Sequence, residues 1–260
     1  MRVSVNGEIC ADEWIWLFNW CGIPAFCPKM MRKAIEDNPD GEDLVVEINS
    51  CGGSVFAGFE IYSLLQKAAC KTVAEVQSLA ASAASTIMVG CKKIVLSPVA
   101  QVMIHLPSAS TEGDVHAHEQ SVRILTSLKE SILNAYELRC GGKTTRDRLN
   151  SLMEAESWLY PQETIALGLA DEIMGDDNND LINFPKDIRN AVGGGIRAIA
   201  NSAGNADLAS LLKRYEEAVR NGAEPAEGHP VVSEKTGEEP VSNNPVWSRK
   251  ARLEIEKNRF

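Results

Sequence analysis

Four short segments carry residue types that could do nucleophilic chemistry, and they follow one another along the chain. Asn49-Ser50-Cys51-Gly52-Gly53 sets two glycines behind a β-branched run. Glycine tolerates positive φ, so amides in such a turn can point at a ligand and hold a developing oxyanion. Ser78 to Ser85 (SLAASAAS) places serines among small residues. Small neighbours leave room for a substrate, and a serine at a helix start lies near backbone amides and the positive end of the helix dipole. Val102-Met103-Ile104-His105-Leu106-Pro107 ends an apolar run on a histidine, the side chain best suited to take up a proton near neutrality. Glu154-Ala155-Glu156-Ser157-Trp158-Leu159 supplies carboxylates, which can orient an imidazole and stabilise its cation. Each segment also has an ordinary reading when taken alone: a strand-to-helix turn, a serine N-cap, a hydrogen-bonded strand-end histidine, a solvated glutamate. Their order, with each at the boundary of an element, is what makes them a candidate constellation.

The elements that must position these residues alternate in type. Residues 2–9 alternate apolar and polar in the strand manner, with Val3, Val5 and Ile9 on the apolar side. Trp14, Trp16 and Trp20 follow at helical spacing, which suggests core rather than a binding box. Met30–Asn38 reads as a helix that stops before Pro39. Leu44–Ile48 is a strand, 49–53 a tight turn, and Phe56–Ala69 a helix with Phe59, Tyr62 and Leu65 on one stripe. Thr72–Val76 is the next strand and Ala80–Val89 a buried helix. Lys93–Leu96 and Val102–Ile104 are strands, Val115–Leu138 a long helix, Pro161–Leu167 a helix closed by Gly168, and Leu169–Ile173 a last short strand. Repeated strand–helix alternation implies an α/β layered fold with a largely parallel sheet.

The alternation ends near Gly175, so a domain is expected over 1–175 and an appendage over 176–260. The appendage opens with the acidic linker Asp176-Asp177-Asn178-Asn179-Asp180. It contains one amphipathic helix, Ala206–Asn221, with Leu208, Leu211, Leu212, Tyr215 and Val219 on a stripe. Ala223–Asn244 is rich in Pro, Glu, Gly and Ser and is expected to be disordered.

Bulk composition narrows the class. The 260 residues are 44% hydrophobic and 24% charged, an ordinary globular mixture. A net charge of −10 argues against nucleic acid as the main partner. Seven cysteines, an odd number with no C-x-x-C pair, speak against a disulfide frame or a zinc site and for thiols in a reducing cytosol. No h-region of a secretory signal and no membrane-length apolar run is visible, so a cytoplasmic location is expected. His116 and His118 form an H-x-H pair, which reads better as a solvated face than as a metal site.

In their joint order the four segments resemble the proteolytic subunit of the Clp proteases, ClpP. INSCGGSVFAGFEIYSLL is similar to that family's INSPGG-x-x-x-AG-x-x-IY segment, and SLAASAAS to its nucleophile segment. VMIHLP is similar to its MIH-x-P segment, and ESWLYPQETIALGLADEI to the stretch around and after its third triad member. The resemblance covers residues 1–175 and looks closest to the phage-encoded, ClpP-related head maturation (prohead) proteases. It implies a spiral of βαβ units shared with the crotonases, ring assembly and serine endopeptidase activity.

Carried over by position, the resemblance makes Ser82 the nucleophile and His105 the general base. It puts the oxyanion-hole amides on Gly53 and Ala83 and the third triad member on Glu156, with Glu154 and Asp171 as competing carboxylates. Asp171 reads rather as structural, and Ser85 as a packed residue and a weaker nucleophile candidate. The chain departs from the pattern at Cys51, where the family has proline, at Ser78, where it has glycine, and at Glu156, where it has aspartate. No metal or organic cofactor is implied. No G-x-x-x-x-G-K-[ST] phosphate loop occurs, so any unfolding ATPase would be a separate chain. In that family an unfoldase docks partly through an extension before the first strand, and this chain begins almost at that strand, so an unfoldase partner is not expected. The expected substrates are capsid and scaffold precursor proteins within an assembling procapsid, with the appendage as a scaffold-like or self-cleaved segment. The rival readings are a Clp-type housekeeping subunit, a crotonase-type enzyme on a coenzyme A thioester, and a non-catalytic shell protein.

Overall fold

The computed structural model describes residues 1–177, 208–221 and 223. In chain order the elements are β1 (Arg2–Ile9), α1 (Ile15–Trp20), β2 (Ala25–Phe26), α2 (Pro28–Glu36), β3 (Leu44–Gly53), α3 (Val55–Lys67), β4 (Thr72–Ala81) and α4 (Ala83–Val89). There follow β5 (Lys93–Leu96), β6 (Gln101–Ile104), α5 (Val115–Cys140), α6 (Arg146–Glu154), β7 (Ser157–Leu159), α7 (Pro161–Ala166), β8 (Glu172–Ile173) and α8 (Leu208–Arg220). The sheet runs β2-β1-β3-β4-β5-β8, all parallel. The expected α/β fold with a largely parallel sheet is the observed one.

Strand β4 forks the sheet. Its first half, Val73–Val76, pairs with β5, and its second half, Leu79–Ala81, pairs with β6. Strand β7 then adds antiparallel to β6. The fork coincides with two register shifts. Between Asn6 and Glu8 of β1, strand β3 advances from Asn49 to Gly52; between Ile48 and Ser50 of β3, strand β4 advances from Val76 to Ala80. Extra residues of this kind bend a strand and increase its twist, so β1, β3 and β4 turn together there and carry their second halves toward β6.

That bend corrects two readings of the sequence. The 49–53 segment is not a turn: β3 continues to Gly53, with Gly52 and Gly53 paired to Glu8 and Ile9. Their φ values of 104° and 142° let the strand bend without leaving the ladder. Likewise Ala80 and Ala81 are strand, held between Ser50 and β6, and the helix begins only at Ala83. Alanine favours helix, but pairing on both edges overrides a propensity of under 1 kcal/mol.

The main core lies between the sheet and the helices α3, α4 and α5, with Ile48, Ile61, Leu65, Val76, Ile87, Ile94 and Tyr136 buried in it. Helix α4 is buried along its whole length. A second apolar cluster sits at the β2 edge. There Trp16, Leu17 and Phe18 of α1 meet Leu208, Leu211 and Tyr215 of α8. The Tyr215 ring packs edge-on against both Trp16 and Trp20, with centroids 5.0 Å apart in each pair. The tryptophans therefore belong to a packed cluster, and the amphipathic helix expected at 206–221 spans 208–220. The expectations of a linker at 176–180, its first two residues apart, and of disorder at 223–244, Ala223 apart, fall outside the described residues. No disulfide joins the seven cysteines. No helix among the described residues is long and apolar enough to cross a membrane.

Candidate active site

Ser82 stands between the end of β4 and the start of α4. Its amide donates to the Met103 carbonyl at 2.9 Å, which ties the serine to β6 two residues before His105. Ser82 Oγ lies 2.7 Å from His105 Nε2. Both side chains are half-buried, open enough for a substrate to reach. The Ser82 backbone has φ 54° and ψ −124°, a strained conformation for a residue with a Cβ. Such a conformation costs on the order of 1–3 kcal/mol and persists only where the surroundings over-determine it.

The Gly52-Gly53 bend packs directly on this elbow. A Cβ on Gly52 would come within 2.7 Å of Ser82 Cβ and 2.8 Å of the Ala81 carbonyl, and one on Gly53 within 2.2 Å of the Ile9 carbonyl and 2.8 Å of Glu8 Oε1. Glycine at both positions is required by the close approach as well as by φ. Ser50 fixes the bend from below: its buried hydroxyl donates to the Gly7 carbonyl at 2.6 Å and accepts the Gly52 amide at 3.0 Å. The Ser54 amide donates to Ile9 at 2.6 Å. Gly53 closes β3, paired to Ile9. The Ala83 amide begins α4 beside Gly52, 3.1 Å from where a Gly52 Cβ would stand. The two amides singled out from the sequence are thus brought to the same end of the sheet as Ser82.

Glu156 immediately precedes β7. Ile104 pairs with Ser157, so the antiparallel register carried one step further sets Glu156 opposite His105. Glu156 has φ 50°, and among the described residues it and Ser82 are the two non-glycine residues with left-handed φ. No hydrogen bond joins Glu156 to His105 among the described residues; the carboxylate acts on the imidazole through its charge. Burial pushes the His105 pKa below the ordinary histidine value, and the Glu156 charge opposes that shift. The imidazole is accordingly neutral, as a proton acceptor must be, down to a lower pH than a free histidine.

The other candidates fall elsewhere. Asp171 accepts the Ile94 amide at 2.8 Å and pairs with Arg139, which occupies it in the link between β5 and α5. Glu154 accepts from Asn150 at 2.7 Å on the exposed face of α6. Ser85 is fully buried. Burial, helped by Glu8, raises the Cys51 pKa, so the thiol that replaces the family's proline stays protonated and is a poor rival nucleophile. His118 bonds Thr111 Oγ1 at 2.5 Å and His116 faces Glu119 at the exposed start of α5. No group of three or more potential metal ligands gathers among the described residues. Sequence reasoning missed Ser50, whose signal was its place before Gly-Gly at a bulge, and the partnership of Ser85 with Tyr136.

Comparison with known proteins bears on this arrangement. Residues 27–177 match the family model for Clp protease. Over 136 residues the chain is 31% identical to the ATP-dependent Clp protease proteolytic subunit of Bacteroides fragilis, a match covering 52% of this chain and 65% of that protein. It is 32% identical over 148 residues to the protein of the same name from Bdellovibrio bacteriovorus, covering 53% and 66%. With proteolytic subunit 1 of Salinibacter ruber it shares 25% over 150 residues, covering 57% and 64%. The chain thus spans less than two thirds of the length of each of these relatives. The matched stretch runs through β3, the elbow, β6 and β7, and on that footing the chain belongs to the Clp protease family.

Proposed function

We propose that the protein is a serine endopeptidase in which Ser82 is the nucleophile. The observation that carries this reading is the 2.7 Å contact between Ser82 Oγ and His105 Nε2 at a strained strand-to-helix elbow. A buried structural serine has no reason to sit in a costly backbone conformation, whereas a nucleophile raised toward its base does. In this mechanism His105 Nε2 takes the hydroxyl proton as Oγ attacks the scissile carbonyl. The amides of Gly53 and Ala83 hold the oxyanion of the tetrahedral intermediate. His105 then gives its proton to the leaving amine, and water, deprotonated in turn by His105, hydrolyses the acyl-enzyme. Glu156, opposite His105 and itself in a left-handed conformation, stabilises the imidazolium by charge. No step calls on a metal or an organic cofactor.

The substrates in this reading are proteins, and the chain works as a homo-oligomeric ring, as membership of the Clp protease family supports. Its biological role is phage head maturation, the cleavage of scaffold and capsid precursors in an assembling procapsid in the host cytoplasm. Support for that role comes from the resemblance of the four motif segments to prohead proteases and from the chain beyond residue 177, which carries α8. The domain boundary near residue 175 belongs to the same proposal, with the 176–260 appendage as the scaffold-like or self-cleaved part. The deciding experiment is a fluorophosphonate label followed by peptide mapping, together with the mass of the purified chain over time. Labelling on Ser82, and shortening within 176–205 that Ser82→Ala blocks, are the expected results. An unlabelled Ser82, or normal precursor cleavage by Ser82→Ala, would overturn the assignment.

A further inference from the structure

The carbonyl of Ser82 is gripped from inside the protein. Ser85, fully buried one turn into α4, donates its hydroxyl proton to the Ser82 carbonyl at 2.6 Å. The same Oγ lies 2.7 Å from the hydroxyl of Tyr136 on α5, which is buried as well. A serine hydroxyl has one proton to give. With that proton committed to Ser82, Ser85 can only accept from Tyr136, so the direction of the chain is set: Tyr136 donates to Ser85, and Ser85 to Ser82. The Ser85 amide, at 3.0 Å, and the Thr86 amide, at 3.4 Å, point at the same carbonyl. These amides belong to any helix start. The hydroxyl chain does not; it draws on a second helix, far along the sequence.

The geometry points to Tyr136 and Ser85 as positioning residues: a buried hydrogen-bond chain from α5 that holds the Ser82 carbonyl and so keeps the strained elbow aimed at His105. This rests on Ser82 being the nucleophile. Ser82 has one soft way to relax, rotation of its own φ and ψ, and that rotation swings the carbonyl away from α4 and Oγ away from Nε2. A donor locked onto the carbonyl opposes both motions at once. Because a buried donor or acceptor left without its partner is costly, the chain resists being broken in the middle. Neither residue touches substrate, so the effect falls on the rate of attack and not on binding.

The test uses the full chain with Tyr136→Phe, Ser85→Ala and the double variant. Tyr136→Phe keeps the ring and removes only the hydroxyl. It is expected to slow fluorophosphonate labelling of Ser82 about tenfold, within what sub-ångström misplacement of a reacting group produces. It lowers kcat on a peptide substrate by the same factor and leaves KM unchanged. The double variant is expected to lose no more than Ser85→Ala alone, because the two groups act through one chain. Labelling of folded Tyr136→Phe at the wild-type rate, with only a lower melting temperature, would reduce the pair to packing and overturn the inference; so would additive losses in the double variant. If Tyr136→Phe does not fold, Ser85→Ala, with the phenol still packed, gives the same labelling comparison. A wild-type chain that takes no label on Ser82 refutes the peptidase reading itself, and the inference falls with it.

Discussion

The two sides of the candidate site are built differently. The Ser82 side is set in buried material: β3 and β4 are ten residues each, α4 is buried throughout, and Ser82 is held at its amide by Met103 and at its carbonyl by Ser85. The His105 side hangs on β6 and β7, of four and three residues, joined antiparallel at one edge. His105 and Glu156 both lie just outside the paired residues, half-buried, and meet through charge without a hydrogen bond. Strain is affordable on the first side because many bonds hold it. On the second side a left-handed glutamate is held by little more than a short ladder. Ser82 is therefore the fixed point of the candidate site and Glu156 the adjustable one.

The largest expected effect is at the fixed point. Ser82→Ala is expected to lower peptide cleavage by at least about a thousandfold, since removing a nucleophile costs nearly the whole advantage of its triad. Size-exclusion chromatography should show an unchanged elution volume, because alanine keeps the Cβ that lies against Gly52 and loses only the hydroxyl on His105. Gly52→Ala comes next. Its Cβ would meet Ser82 Cβ at 2.7 Å in a conformation with φ 104°, so both partners of the clash are rigid. An activity loss of about a hundredfold, the scale of one oxyanion donor, should accompany a stability loss of about 2 kcal/mol, the scale of strained backbone. Denaturant melts and single-turnover kinetics measure the two separately. A Gly52→Ala protein of wild-type activity would show that the elbow is softer than its packing implies.

What the sequence made legible follows the same division. Ser82 and His105 sit in segments whose company of small residues and strand-end position is local, so they could be read without a structure. The continuation of β3 through Gly53 could not. It depends on Glu8 and Ile9 pairing across from the glycines, a long-range fact that local turn chemistry contradicts. Ala80 and Ala81 were misread for the same reason, since β6 decides their conformation. Strand β7 and helix α6 went unread: three residues, Ser157–Leu159, carry too little periodicity, and the cap Thr145, which accepts from Arg148, stands in a polar run with little apolar stripe. Glu156 was reachable only by position within a motif. Its left-handed φ leaves no trace in a sequence, because glutamate is not a residue that announces such a turn.

The adjustable side gives a smaller and more diagnostic effect. Glu156→Gln removes the charge that raises the His105 pKa while burial continues to lower it. The acid limb of kcat/KM against pH, which reports the free base, should start below the ordinary histidine value of about 6.5 in the wild type and move lower still in the variant. A loss of about tenfold in kcat is expected at neutral pH, less than the roughly hundredfold or more that a positioned general acid–base group itself contributes, because Glu156 acts on His105 through charge alone. Movement of the acid limb upward would mean that another charge governs His105. The same shift affects stability. His105 is protonated in the unfolded chain below about pH 6.5 but resists protonation when folded. Between that value and its lower folded value the unfolded state binds more protons, so stability falls as pH drops through this window and is restored above it.

The smallest effect on chemistry is expected farthest from it. Tyr215 of α8 wedges edge-on between Trp16 and Trp20, and aromatic contacts of that geometry are worth about 0.5–1.5 kcal/mol each beyond the area they bury. Tyr215→Ala should therefore release α8 from α1 and lower the melting temperature, with a change in tryptophan fluorescence as the rings meet water. The second cluster holds Cys10, next in sequence to Ile9, whose carbonyl receives the Ser54 amide just past Gly53. If the fixed side of the site is held by its own bonds, as its hydrogen bonding indicates, the loosening should stop at that strand and the labelling rate of Ser82 should stay within about twofold of wild type, below the roughly 0.5 kcal/mol scatter of independent sites. A larger drop in labelling would make α8 part of what fixes the elbow, and would extend the rigid half of the molecule to the β2 edge.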